Sequence, residues 1–167
     1  MMTKPAGITA TTYPVAVIME RSKLASRWLP YRWEAKGVVR DIFPAGTGER
    51  VMLQDEQSLQ ILYPGLELRL MRDEAEGYYL NLTSPAPKVF VLWRLHDEQA
   101  RPEFVTVSYH EGARWMDSDE HVDGAPLPGE LLPWIREFVE QHYRPEPKKQ
   151  KRYASNKDKG RMGRFEQ

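Results

Sequence analysis

Apolar and polar residues alternate along much of the first two thirds of the chain, which is the two-residue period of β-strands. The segments with this pattern, or with a short apolar run, are residues 13–20, 33–42, 50–53, 59–63, 66–70, 78–82, 89–95 and 104–109. We predict that residues 66–70 and 78–82 form a hairpin about a turn at 73–77. The nearly continuous apolar run at 89–95 predicts a central strand.

After the alternating segments, apolar residues recur at a spacing close to the helical period. The apolar or packed positions that share one face of a predicted helix over about residues 129–143 are Leu131, Ile135, Phe138, Val139 and His142. Pro133 fits this helix because it lies near the first turn, where backbone donors have no helical partner. A shorter helix is predicted at residues 110–117.

Together these elements predict an α+β fold that is mainly β. We expect an antiparallel sheet or partly open barrel, capped by the C-terminal helix because the apolar face of a sheet has to be covered. Residues 13–143 are predicted to form a single domain after a flexible N-terminus at 1–12. Residues 144–167 have almost no aliphatic side chains, which predicts a disordered tail.

The charge of the chain is divided unevenly. The net charge is zero over 167 residues, with 24 basic and 24 acidic side chains. Residues 144–167 nevertheless carry a net charge of +6, and residues 1–143 carry −6. An acidic body with a basic tail indicates contact with an acidic partner.

Four interpretations of the tail fit the sequence. It can be a solubilising extension, or a docking arm that binds an acidic protein surface. It can bind nucleic acid or the ribosome, with Tyr153 and Phe165 stacking on bases. Internal docking onto its own body would inhibit either use. The basic residues that we predict to contact a partner are Lys148, Lys149, Lys151 and Arg152.

Within the body, Arg21, Trp28 and Trp33 are the residues that most favour an interaction site. Arg21 can stack on a tryptophan face or pair with a carboxylate of a partner. Tryptophan and arginine dominate the energetics of protein interfaces. The alternative is that both tryptophans pack in the core or at its rim.

The composition excludes several kinds of chemistry. There is no cysteine, which removes disulfides, thiolate nucleophiles and cysteine-bound metals. The N-terminus lacks the apolar run of a secretory signal, and no stretch approaches the roughly 18 apolar residues of a membrane span. We therefore expect a cytoplasmic protein without membrane contact.

No catalytic or cofactor motif is evident either. No two of the four histidines are at helical spacing and there is no cysteine, so the sequence predicts no metal site and no cofactor. The acidic cluster at residues 117–123 has oxygen ligands for a divalent cation, but the spacing of a calcium loop is absent, and we interpret the cluster as a solvated loop. Ser108 and His110 are close in sequence, but no Gly-x-Ser-x-Gly elbow occurs, so we predict no nucleophilic dyad.

Three landmarks occur in a familiar order. They are residues 17–21 followed by Trp28 and Trp33, the segments 79–84 and 89–92, and the run from Pro126 through residues 134–139 to His142 and the basic end. In this order they resemble an uncharacterised proteobacterial family, domain of unknown function 3305. The resemblance extends from about residue 13 into the tail.

The resemblance implies a setting and no catalytic residues. Members of that family are often encoded beside molybdenum-dependent formate dehydrogenase genes, and some carry the label molybdopterin-guanine dinucleotide biosynthesis protein A. A nucleotidyltransferase of that kind has a glycine-rich loop after its first strand. Here residues 21–24 follow the first strand without a glycine, and the Gly160–Gly163 motif has no preceding strand.

We therefore expect a non-enzymatic accessory protein that binds another protein. Its partner would be a formate dehydrogenase subunit or a maturation factor. A nucleic-acid or ribosome-associated regulator acting through the tail is the alternative. The third hypothesis is a molybdenum-cofactor nucleotidyltransferase, and the missing phosphate loop argues against it.

Overall fold

The first of two antiparallel sheets is built from the N-terminal half of the chain. The structure is a computed structural model and describes residues 7–145. Its first four strands are β1 (Thr12–Lys23), β2 (Tyr31–Arg40), β3 (Arg50–Gln54) and β4 (Ser58–Arg69). They form one sheet in the order β2-β1-β4-β3. The predicted strands 59–63 and 66–70 are thus two halves of β4.

The second sheet follows β4 along the chain. It contains β5 (Lys88–His96), β6 (Gln99–Thr106) and β7 (His121–Pro126), in the order β6-β5-β7. The helices are α1 (Ala75–Leu82), α2 (Tyr109–Asp117) and α3 (Leu132–His142). The prediction of a mainly antiparallel α+β fold with a C-terminal helix is confirmed, in the form of two open sheets. The central position of β5 is confirmed as well.

One core joins both sheets and the last helix. Its members alternate along the strands and recur at helical spacing in α3, as the sequence pattern predicts. The buried side chains at its centre include Val15, Val17, Met19, Leu68, Val89, Val91, Ile135 and Phe138. Burying each such aliphatic or aromatic side chain contributes about 1.5–3 kcal/mol, so this shared core holds the elements together.

A bulge bends β4 in its middle. Pro64 and Gly65 lie where the pairing of β1 with β4 shifts register. Gly65 has a positive φ of 92°, which glycine adopts without strain. Its N–H donates to Oδ2 of Asp41 at 2.8 Å instead of joining the ladder. The bend divides one long strand into the two apolar segments that the sequence shows.

The predicted strand at residues 78–82 is wrong, because this segment is the helix α1. Its buried residues Ala75, Tyr78 and Asn81 are three apart, which is a helical spacing, whereas Tyr79 and Leu80 are exposed. Tyr78 packs edge-on against Phe138, with ring centroids 5.8 Å apart. A hairpin in this place would lose that contact with the core.

Asp123 of β7 connects the two sheets. Its Oδ2 accepts hydrogen bonds from the backbone N–H of Ala35 in β2 and from Nε1 of Trp93 in β5, both at 2.8 Å. Within the second sheet, His121 of β7 stacks against Trp93, with ring centroids 4.1 Å apart. The strand β7 that carries both residues was not predicted from the sequence.

The first prediction concerns Asp123→Ala. This change leaves two donors without their acceptor, which costs about 1–3 kcal/mol. Asp123→Asn should lose less stability, because its amide oxygen can still accept hydrogen bonds. Urea unfolding of both variants measures the difference, with Asp117→Ala as the control at an exposed position. Equal stability of Asp123→Ala and the control would contradict the role of Asp123.

A second prediction uses Gly77 in α1, which touches α2. A Cβ atom at this position would overlap Oγ of Ser108 and come within 3.3 Å of the backbone nitrogen of His110. Gly77→Ala should therefore destabilise the protein by about 1–3 kcal/mol. This expected loss of stability contrasts with the gain of about 1 kcal/mol that a glycine-to-alanine substitution gives in an exposed helix.

The control for Gly77→Ala is Gly129→Ala, where a Cβ meets nothing within 4 Å. Thermal or urea unfolding compares the two variants with the parent. A gain in stability for Gly77→Ala would show that α1 and α2 do not pack as closely as described.

Candidate protein-binding site

The loop between β1 and β2 presents an exposed tryptophan from an ordered turn. Oγ of Ser26 accepts hydrogen bonds from the backbone N–H groups of Trp28 and Leu29, each at 3.2 Å. The N–H of Leu24 donates to the carbonyl of Pro30 at 2.7 Å and closes the loop. Trp28 is 87% exposed and Leu29 is 59% exposed. The loop thus fixes its backbone while it leaves its largest apolar side chains in water.

Arg21 lies beside two aromatic rings at the base of this loop. Its guanidinium carbon is 4.3 Å from the ring centroid of Tyr31 and 5.9 Å from that of Trp33. Arg21 pairs with Trp33 across β1 and β2, so both side chains share one face of the sheet. Such cation–π contacts hold the guanidinium in place while its N–H groups stay available to a partner.

Trp33 is fixed by the second sheet. Its Nε1 donates to the carbonyl of Glu98, in the turn between β5 and β6, at 3.2 Å. The ring is half-buried and packs against the core. For Trp33 both sequence interpretations therefore hold in part, because it packs at the rim and also borders the exposed loop.

The structure brings the predicted residues into one region. Arg21 and Trp33 are neighbours, and Trp28 lies in the loop that joins their strands. Tyr31 was missed, although it lies two residues before Trp33 and thus on the same face of β2. We call residues 21–33 the aromatic–basic tip.

Charge distinguishes this tip from the rest of the body. The four basic residues of the segment are Arg21, Lys23, Arg27 and Arg32, and it contains no acidic residue. On one flank, the N–H of Lys23 donates to the carbonyl of Gln57 at 2.9 Å. This bond brings the turn with Asp55 and Glu56 alongside. The acidic β3–β4 turn therefore borders the tip on this flank.

Ser108 has a structural role. It is fully buried, and its Oγ accepts from the N–H of Glu111 at 3.1 Å as the N-cap of α2. The same hydroxyl donates to Oε1 of Glu74 at 2.5 Å, and Arg114 donates to Oε2 of Glu74 at 2.6 Å. His110 contacts Glu76 instead, at 3.3 Å. Ser108 and His110 thus have separate partners.

These contacts shift the pKa of Glu74. Burial of the carboxyl group raises its pKa, but the hydrogen bonds from Ser108 and Arg114 outweigh that effect. The pKa of Glu74 therefore lies below its ordinary value of 4.5. Burial also raises the pKa of the neighbouring Tyr78 hydroxyl to about 12. Both groups keep their ordinary charge at neutral pH.

Three members of the acidic cluster at residues 117–123 have structural contacts. Glu120 forms a two-point ion pair with Arg94, at 3.1 and 2.8 Å. His121 stacks on Trp93, and Asp123 bonds across the sheets. Between residues 7 and 145, no three histidine or acidic side chains are arranged to hold a metal ion.

The remaining predicted partner-binding residues cannot be placed beside the tip. Lys148, Lys149, Lys151 and Arg152 lie outside the residues that the structure describes. Among the helices from residue 7 to residue 145, none has the length and apolar character that crossing a bilayer requires.

The sequence matches the model of one known family. The chain belongs to the family described as Protein of unknown function (DUF3305), whose model matches residues 14–152. This confirms the resemblance, and the family description names no activity and no partner. No curated protein and no solved structure matches the chain.

The lowered pKa of Glu74 leads to a prediction about how the stability of the protein depends on pH. Because the pKa of Glu74 is lowered by folding, its carboxylate stabilises the folded state above pH 4.5, and this contribution is lost as the pH falls through the lowered value. Glu74→Gln should thus be less stable than the parent at neutral pH, and the difference should narrow in acid. Unfolding by urea at several pH values measures it.

The matched control is Glu56→Gln, whose carboxylate forms no ion pair within the described part of the chain. Its difference from the parent should stay small at every pH. A Glu74→Gln difference that is independent of pH would contradict the assignment of the stabilising charge to Glu74.

Proposed function

We propose that this protein is a non-enzymatic accessory protein that binds another protein through the aromatic–basic tip. The observation that carries the proposal is the exposed Trp28 on a hydrogen-bonded loop, next to Leu29 and the stacked Arg21. Single exposed apolar residues are common on protein surfaces. A tryptophan held out by an ordered loop among arginines has the composition of an interface hot spot.

The chemistry of the tip selects the kind of partner. An acidic protein surface with an apolar pocket would pair its carboxylates with Arg21, Arg27 and Arg32 and would bury the Trp28 indole. Bidentate pairing with arginine adds directional specificity to the apolar contact. The tail has the same sign of charge as the tip, so both would favour approach to one acidic partner.

A second surface could extend the contact. The edge strand β3 pairs with β4 on one side only, and its residues Val51, Met52 and Leu53 are exposed. An edge strand without a proline or an inward-pointing charge can accept another strand. We propose this edge as an auxiliary contact, while the tip supplies the binding energy.

We further propose maturation or assembly of a molybdenum-dependent formate dehydrogenase as the setting. This part rests on the gene neighbours that the family resemblance implies. The partner would then be a dehydrogenase subunit or a maturation factor in the cytoplasm. The buried capping role of Ser108 supports a role without catalysis, since the hydroxyl has no access to a substrate.

The decisive variant is Trp28→Ala. Loss of a hot-spot tryptophan should weaken binding of the partner by about 2–4 kcal/mol, or roughly 30- to 1000-fold. The free energy of unfolding should hardly change, because the side chain is almost fully exposed. Ile42→Ala is the matched control, since Ile42 is 74% exposed and lies outside the tip.

The measurement starts with affinity capture from the native host under conditions that induce formate dehydrogenase. Parent, Trp28→Ala and Ile42→Ala proteins are compared with and without nuclease, and the affinity for the recovered partner is then measured directly. We expect parent and Ile42→Ala to recover a dehydrogenase subunit or maturation factor that survives nuclease. Recovery of that partner by Trp28→Ala at parental affinity would overturn the site.

Another outcome would overturn the function itself. If the captured material is ribosomal or nucleic acid and disappears with nuclease, the nucleic-acid alternative replaces the accessory role. Binding of that kind should weaken steeply with salt and should be lost when the chain ends at Tyr143.

A further inference from the structure

An apolar groove lies along α2, away from the aromatic–basic tip. It has a volume of about 510 Å³. We call it the α2 groove. One wall is the stripe Tyr109, Ala113 and Met116 of α2, whose positions recur at helical spacing. Phe90 of β5 forms part of the floor, and the loop around Pro85 forms the other wall. Tyr109 and Met116 are each 49% exposed, so the groove is open to an occupant.

The polar group at the base of the groove is already satisfied. Nδ2 of Asn81 donates to the carbonyls of Lys88 and Val107, and its Oδ1 accepts from the N–H of Lys88. The groove therefore offers little to a polar ligand. An aromatic or aliphatic side chain is the occupant whose burial it favours.

The chain leaves the described region close to this groove. Tyr143, just after α3, stacks on Tyr79 of α1, with ring centroids 4.8 Å apart. Asn81 at the base of the groove lies two residues beyond Tyr79. Tyr153 is the eighth residue after Pro145, and an extended chain of that length reaches at most about 29 Å. Tyr153 can therefore reach the groove from the end of α3.

The charges beside the groove are opposite in sign to those of the tail. The α2 groove ends at Met116, and the turn that follows carries Asp117, Asp119 and Glu120. Of these, Glu120 pairs with Arg94, whereas the other two form no ion pair within residues 7–145. The basic residues that precede Tyr153 are Lys148, Lys149, Lys151 and Arg152. Lys88 is the one cation among the described residues that line the groove.

We propose that the α2 groove is the docking site of the protein's own tail, with Tyr153 in the groove and the preceding basic residues against the acidic turn 117–120. The family match ends at residue 152, so it includes this basic segment together with the body. A partner that recruits the tail must then displace it from the groove. This inference concerns a site separate from the aromatic–basic tip and does not depend on the proposed function.

The test uses the absence of cysteine from the chain. Ala86→Cys on the groove wall and Ala154→Cys beside Tyr153 introduce the only two thiols, while Tyr153 and the α2 stripe stay intact. A short bismaleimide cross-linker is added to dilute, full-length protein. Intact mass and peptide mapping then give the rate at which the intramolecular link forms.

Matched variants separate docking from simple tethering. In the same two-cysteine protein, we expect Tyr153→Ser, Ala113→Arg and charge reversal of the four basic residues each to slow the link. The rate of cross-linking should fall roughly tenfold, because each variant removes the increase in effective concentration that docking supplies. Ile42→Ala, at an exposed position outside both the groove and the tip, should leave the rate unchanged. Added salt should slow the parent's link, because it screens the attraction, and should speed the link of the charge-reversed protein, because it screens the repulsion from the acidic turn.

The outcomes decide the proposal. A parental rate that Tyr153→Ser and Ala113→Arg do not change would show that the tail is merely tethered nearby. Links that form only between two molecules would assign the groove to a second copy of the chain. Either result overturns docking of the tail in its own groove, and neither bears on the binding of a partner by the tip.

Discussion

The carboxylate of Asp123 is the contact on which the arrangement of the two sheets depends. Each sheet is open, so β2 and β7 present edge donors that need a partner. One carboxylate oxygen of Asp123 accepts hydrogen bonds from a backbone N–H of β2 and from the indole N–H of Trp93. A carboxylate makes stronger hydrogen bonds than a neutral acceptor, and it leaves no strand edge to pair with another chain at this seam. The register of β7 is thereby tied to that of β2.

This seam also separates the two candidate surfaces. Trp33 bonds to the turn between β5 and β6, which fixes the base of the aromatic–basic tip against the second sheet. On the other side, α2 lies so close to β5 that a Cβ atom on Gly112 would be 2.7 Å from the ring of Phe90. The α2 groove is the space beside that contact. Both surfaces are thus consequences of packing that the buried core imposes.

The sequence predicts the fold well where burial is periodic, and less well where it is not. The apolar pattern of β1 and the nearly continuous apolar run of β5 identified both strands, and the spacing in α3 identified the last helix. Residues 78–82 were misread because Tyr79 and Leu80 are apolar but exposed, so the pattern looks like alternation. The acidic residues 73, 74 and 76 at its start are a helix N-terminal signal that could have corrected the assignment. For β7 no local signal existed, because the hydrogen-bond partners of Asp123 lie 30 and 88 residues away in the sequence.

The same distinction applies to the candidate sites. Arg21 and Trp33 could be paired from the sequence once β1 and β2 were recognised as neighbouring strands, whereas the exposure of Trp28 depends on the turn at Ser26. The α2 groove could not be foreseen, because it needs α1, α2 and β5 at once. In this chain the polar residues with the most reactive appearance, Ser108, Glu74 and Asp123, are engaged in holding elements together. The exposed side chains of the two candidate surfaces are mainly aromatic, apolar and basic, and such side chains are typical of surfaces that bind another molecule.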